Sequence, residues 1–260
     1  NDVIEFSHNY TFIEGVDTIT DGIWILNKIT INGNGYTIDA KNKAAIFLLN
    51  VANVEFNDIR FINAVSVYGG AAIYANGNAN NLYINNCSFI NNSVTKNGGA
   101  IYIYSSNMGS IINSRFINNS ATGSGGAIYN YAWTGVNTDL IDKCLFINNS
   151  ASQASALYHL YLGTLKNSVF LNNSGADIIS GYGNYVGALR ANNNWFGNTF
   201  DDKSDRPNVS SYLDINWLYM DITFHESYAV VCLNKLNNGK VYDDYNLPTL
   251  TLKINSSTLN

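Results

Sequence analysis

Charge, proline and cysteine are all scarce in this chain, and each scarcity narrows what the molecule can be. Of 260 residues only 13% are charged, and a net charge of -5 leaves no basic face of the kind that nucleic acid requires. Acid is scarcer still in the middle: between residues 61 and 200 there is no glutamate, and Asp139, Asp142 and Asp177 are the only carboxylates. Polysaccharide lyases and hydrolases work through clustered carboxylates, for calcium or for proton transfer, with a basic group beside them. Here Lys96, Arg115, Lys143, Lys166 and Arg190 are scattered over the same span, while His8, His159 and His225 fall in three separate regions. The sequence therefore assigns no catalytic residue, no metal-ligand set and no cofactor, which leaves lyase or hydrolase chemistry as the weakest of the functional readings.

Proline appears only at Pro207 and Pro248. No segment carries apolar residues at helical spacing, and neither a signal peptide nor a membrane-spanning run is visible. Targeting and anchoring segments are expected outside this fragment. Of the three cysteines, Cys87 and Cys144 occupy one column of a repeat, with Ser114 holding it in the coil between them. Two coils at strand spacing separate them by roughly 9.6 Å. A disulfide requires Cα atoms within about 7 Å, so these are expected to be small buried residues in a stack.

What the chain has in abundance is asparagine, 43 residues of it, and a repeat. Phe89-Ile90-Asn91-Asn92-Ser93 returns at Phe116, Phe146 and Phe170, in steps of 27, 30 and 24 residues. A second column, Ala45-Ile46-Phe47, Ala72-Ile73-Tyr74, Ala100-Ile101-Tyr102, Ala127-Ile128-Tyr129 and Ala156-Leu157-Tyr158, steps by 27, 28, 27 and 29. A third runs through Phe56, Ile84, Ile111, Ile141, Leu165 and Leu189. Self-similarity at this period means a solenoid, in which each unit buries its apolar face only against its neighbours. The apolar pieces are three to five residues long, β-branched or aromatic, and separated by Gly, Asn and Ser. They read as an all-β, right-handed parallel β-helix of short strands, in which Asn residues at one turn stack as a hydrogen-bonded ladder.

The ends differ from the middle. Residues 1-35 lack the columns and read as an N-terminal cap, and the β-helix is assigned to residues 36-216. At its far end the Phe column is expected to break at Asn194, with Trp195-Phe196 covering the last rung. Residues 217-260 alternate as strands, with Asn237-Asn238-Gly239 as a turn between Tyr228-Leu233 and Thr249-Ile254. They read as the start of an immunoglobulin-like module or as cap strands packed on the rod.

The pairing of Gly98-Gly99-Ala100-Ile101 with Phe116-Ile117-Asn118-Asn119, and of Gly125-Gly126-Ala127-Ile128 with Phe146-Ile147-Asn148-Asn149, resembles the repeat of chlamydial polymorphic membrane proteins. The early Phe61-Ile62-Asn63-Ala64 lacks the final Asn, and the late Ala154-Ser155-Ala156-Leu157 lacks both glycines. The Asn-rich texture and the Asn193-Asn194-Trp195-Phe196-Gly197 end make the chain similar to adhesin-like surface proteins of methanogenic archaea. The resemblance covers most of residues 20-260. It implies an extracellular, surface-displayed β-helix that attaches to glycans or proteins of another cell, without naming a ligand and without catalytic residues. The alternative from another class is a structural stalk or envelope spacer.

Three local features bear on attachment. Alternation sets the aliphatic column against an aromatic one; if Ile46, Ile73, Ile101, Ile128 and Leu157 point inward, Tyr102, Tyr129 and Tyr158, with Tyr104, Tyr131 and Trp133 nearby, form an outward stripe that could stack on sugars or on a partner. An internal aromatic stack, or an aromatic ladder that merely supports neighbouring strands, is the plainer reading. The sequons at Asn91, Asn118, Asn148 and Asn172 form a column of glycosylation candidates if the following Asn of each pair points inward, and Asn9, Asn208 and Asn255 add three more. Finally, Asp201, Asp202 and Asp205 sit in one loop that reads as solvated rather than metal-binding.

Overall fold

The computed structural model describes residues 2–105, 107–131, 139–181, 189–197, 214–225, 228–241 and 247–249. Among them the chain is all β, a parallel solenoid of about seven turns without helices. Three sheets run along its length, a 17-stranded one, a 7-stranded one and a short 3-stranded one. The 7-stranded sheet takes one strand from each coil, from Ile23–Ile25 to Ile178–Ser180. The 3-stranded sheet comprises Val65–Ser66, Ser93–Val94 and Ser120–Ala121.

Residues of the expected cap pair in the same ladders as the rest. Asp2–Glu5 lies parallel to Ile29–Asn32, and Ile23–Ile25 lies parallel to Phe47–Leu49. At the other end Asp214–Phe224 continues the long sheet in parallel with Leu189–Trp195 and then pairs antiparallel with Ala229–Leu236. The turn at Asn237-Asn238-Gly239 is present, closed by bonds from Gly239 N to Leu236 O and from Leu236 N to Lys240 O, at 2.8 and 2.9 Å. The strand expected at Thr249-Ile254 falls outside the described residues, Thr249 excepted.

Inside, the phenylalanines stack. Phe61, Phe89, Phe116, Phe146 and Phe170 are each 0% exposed, and their ring centroids are 4.7 to 4.9 Å apart with planes within 10° of parallel. The column does not break at Asn194 as expected. Val169 registers with Trp195, which places Phe196 over Phe170 at 5.0 Å and puts Asn194 in the Cys–Ser column instead. Two other columns slip at the ends of the repeat. Phe47 registers with Ile73, so Leu48 rather than Phe47 precedes Tyr74, and Leu165 registers with Ala191, leaving Leu189 opposite Gly163. The first slip, by one residue, turns Phe47 into the core and Leu48 outward, against the expected parity, whereas the second, by two residues, leaves Leu189 and Ala191 both inward. Cys87 and Cys144 are free thiols, buried as expected.

Asparagine does two jobs at one turn. Asn92, Asn119 and Asn149 are 0% exposed, and each Nδ2 donates to the next amide Oδ1 at 2.9 to 3.0 Å, the chain passing through Asn173 to the Asp177 carboxylate at 2.8 Å. The residue before each takes the left-handed backbone region, with φ of 56°, 55°, 53° and 52° at Asn91, Asn118, Asn148 and Asn172. Asn tolerates that region better than other residues with a side chain. On the surface Asn118 donates to Asn91, Asn91 to Asn63, and Asn63 to the Asp39 carboxylate, so the two amide chains run in opposite senses.

The outward column Arg60, Ser88, Arg115 turns apolar at Leu145, Val169 and Trp195. The reason is a second apolar cluster, in which Leu218, Met220 and Leu236 of the antiparallel hairpin cover those three side chains.

Candidate functional site

The aromatic column faces outward. Ile73, Ile101, Ile128 and Leu157 lie in the core, and alternation turns Tyr74, Tyr102, Tyr129 and Tyr158 to the opposite face, where each is half-buried. Their rings form a ladder with centroids 5.1, 5.2 and 4.8 Å apart and planes within 11° of parallel. Beside it Tyr104 stacks on Tyr131 at 5.4 Å, and Tyr131 meets Tyr161 edge-on at 6.4 Å. Trp133 lies outside the described residues.

The geometry limits what this ladder can bind. Tyr102 has one ring face against Tyr74 and the other against Tyr129, and Tyr129 is sandwiched likewise between Tyr102 and Tyr158. Rings covered on both faces offer a partner their edges and hydroxyls, not platforms on which a sugar could lie. Burial, with a lesser contribution from neighbouring phenols, pushes Tyr102 up to about 12 and raises Tyr129 as well. Both remain neutral hydroxyls under ordinary conditions.

The sequon asparagines Asn91, Asn118, Asn148 and Asn172 are exposed in one column, and the second Asn of each pair points inward, although Asn173 is only half-buried. The amides of Asn91 and Asn118 already donate along the surface chain. Asn208 and Asn255 lie outside the described residues, as do Asp201, Asp202 and Asp205.

One cluster escaped the sequence. Asp139 and His159, 20 positions apart, meet inside the rod with Asn130 between them. Asn130 Nδ2 lies 2.9 Å from Asp139 Oδ2 and 2.9 Å from His159 Nδ1, while His159 Nε2 is 4.0 Å from the same carboxylate oxygen. Asp139 Oδ1 also accepts from Met108 N at 2.8 Å. A Cβ at Gly163 would stand 2.6 Å from His159 Nε2, so glycine there leaves room for the imidazole. Burial lowers the His159 pKa, and the Asp139 charge opposes that shift. Exposures of 3% for Asp139 and 1% for His159 keep polymer substrate away from both. The available signal was the column Ile103, Asn130, His159, Ser180, which changes from apolar to polar along the 7-stranded sheet. Among the described residues no group of three or more His, Cys, Asp or Glu side chains could hold a metal ion.

The class is thus a parallel β-solenoid whose coils pair a Gly-Gly-Ala-Ile turn with a Phe-Ile-Asn-Asn rung. Residues 86–104 and 113–131 match the Chlamydia polymorphic membrane protein repeat. Each match takes in one copy of both pieces, Phe89-Asn92 with Gly98-Ile101 and Phe116-Asn119 with Gly125-Ile128. No curated protein and no solved structure matches the chain. Repeats of this kind on a solenoid fit a surface adhesin-type protein in general, and they suggest a surface or outer-membrane location.

Proposed function

We propose that this chain is a non-enzymatic extracellular adhesin, of the kind seen in the adhesin-like surface proteins of methanogenic archaea, and that its lateral faces attach to glycans or proteins of another cell. The supporting observation is the repetition itself: like residues recur coil after coil on each face, as Tyr74, Tyr102, Tyr129 and Tyr158 do. A surface built this way suits many weak, similar contacts in a row, whereas a catalytic cleft is a local convergence of unlike polar groups. The one described meeting of histidine with carboxylate is in the core, out of reach of a polymer. We further propose a right-handed coil, the sense that parallel crossovers overwhelmingly take, and C-terminal strands that open an immunoglobulin-like module. Sequon use at Asn91, Asn118, Asn148 and Asn172 belongs to the same proposal.

Beads carrying many copies should retain whole cells at concentrations where the monomer binds weakly. The protein should release no unsaturated or reducing sugar from neutral or acidic polysaccharides, with or without calcium. Calcium-dependent release of unsaturated sugars would overturn the reading in favour of a lyase. An intact fold that retains nothing even when clustered would favour the structural stalk.

A further inference from the structure

A groove of about 540 Å³ runs along the 3-stranded sheet, on a different face from the tyrosine ladder. Its floor is the outward column Val65, Ser93, Ser120, in register from coil to coil, and Thr95 and Thr122 stand exposed along it. Tyr68 is 57% exposed at this groove, with Lys96 Nζ 5.9 Å from its ring centroid. Asp21 and Lys43 are the charged residues that line it, one of each sign.

We propose that this groove binds an extended, uncharged polysaccharide chain laid parallel to the rod axis; the proposal rests on the attachment reading and names its ligand class. Three observations select that ligand. First, Ser66, Ser93, Ser120, Thr95 and Thr122 line the groove; Thr122 Oγ1 donates to Thr95 O at 2.6 Å and Thr95 Oγ1 to Val67 O at 3.5 Å, which leaves their oxygens to accept from sugar hydroxyls without the desolvation cost of a charge. Second, the coils repeat every 4.7 to 5.2 Å, judged from their stacked rings, so the hydroxyl rows recur at the advance of one pyranose along an extended glycan. Each coil would then meet one sugar. Third, Tyr68 has no ring-on-ring neighbour among the described stacks, unlike the ladder tyrosines, and its exposure gives a sugar an aromatic surface to pack on.

Other occupants fit less well. A peptide that adds a strand needs free backbone groups, but Ser93 N donates to Ala64 O, Ser120 N to Asn92 O and Ser150 N to Asn119 O, each at 2.9 Å, along the rod. An acidic polymer needs cationic rows, and Lys43 and Lys96, with Asp21 opposing them, do not form one.

The test uses the full chain displayed on beads, probed with soluble linear β-linked glucan, N-acetylglucosamine oligomers, mannan and polygalacturonate. A neutral chain should bind, polygalacturonate at least tenfold less. Tyr68→Ala, at an exposed turn, should weaken binding at least tenfold, and Thr122→Tyr should do the same by filling the groove. Tyr83→Ser, exposed on the 17-stranded sheet, should leave binding unchanged. Melting curves matching the parent establish that each variant folds. The proposal fails if Thr122→Tyr, folded, binds as the parent does, or if polygalacturonate binds best. Failure to bind any of these glycans while whole-cell retention persists would also overturn the groove yet leave the attachment reading standing. Loss of both would overturn the two together.

Discussion

At the scale of single residues, the paired asparagines make opposite demands. Asn119 accepts from Asn92 N and Asn92 Nδ2 through Oδ1, and donates to Phe89 O and Asn149 Oδ1, all with no exposure to water. Asn119→Ala should therefore cost about 1–3 kcal/mol in denaturant unfolding, through orphaned buried groups. Asn118 contributes its left-handed backbone instead, so Asn118→Ala should cost about 1 kcal/mol, while Asn118→Gly should be close to neutral. Equal losses for Ala and Gly at position 118 would show that the side chain, not the backbone, matters there. Two buried titrations oppose each other. His159, lowered by burial, takes up its proton mainly in the unfolded chain, so its effect is to cost stability as the pH falls below about 6.5. Asp177 is pushed up to about 6, chiefly by burial and against the Asn173 hydrogen bond, so it takes up a proton in the folded state first. It stabilises as the pH falls through 6 and ceases to gain below the unfolded carboxylate value near 4. Between pH 7 and 4.5 the melting temperature of His159→Asn should rise relative to the parent, whereas that of Asp177→Asn should fall relative to it.

Among elements, the Gly-Gly turn is where backbone geometry dominates. Gly125 has φ +70°, and a Cβ on Gly126 would stand 2.2 Å from Ser155 O and 2.5 Å from Ser150 O of the next coil. The first glycine is thus a matter of backbone conformation and the second one of close approach between coils. Gly126→Ala should destabilise by about 3 kcal/mol, because the atoms in its way are backbone and cannot swing aside. In the next coil Ala154 takes φ 53° where the earlier copies use glycine. Relieving it by Ala154→Gly should gain about 0.5–1 kcal/mol, the left-handed penalty less the extra entropy of glycine. A loss on that substitution would mean that Ala154, which is 1% exposed, contributes more by packing than its backbone costs.

For the whole molecule, stability is a chain of nearest-neighbour terms, since each coil touches chiefly the coils before and after it. Phe116 lies mid-rod between Phe89 and Phe146, with centroids 4.9 Å away on each side. Phe116→Asp would bury a charge with no partner in this stack, and cooperative unfolding should be lost. Amide exchange should quicken first in strands Ser88–Ile90, Arg115–Ile117 and Leu145–Ile147, then spread outward. Retention of the parent melting curve would contradict the inward stack.

The sequence by itself determined the solenoid, its period, the inward Phe parity and the opposition of the aliphatic and aromatic columns. Those properties are periodic, and a residue repeated at each coil must meet its own copies above and below. Tertiary structure alone decided three others. The continuation of the Phe column at Phe196 depended on how a turn of different length resets the register, which no column count can show. The meeting of Asp139 with His159 joins residues of different columns across the rod's interior, a relation without periodic signature. Whether the tyrosines could serve as platforms turned on their spacing along the rod, because rings about 5 Å apart cover one another's faces.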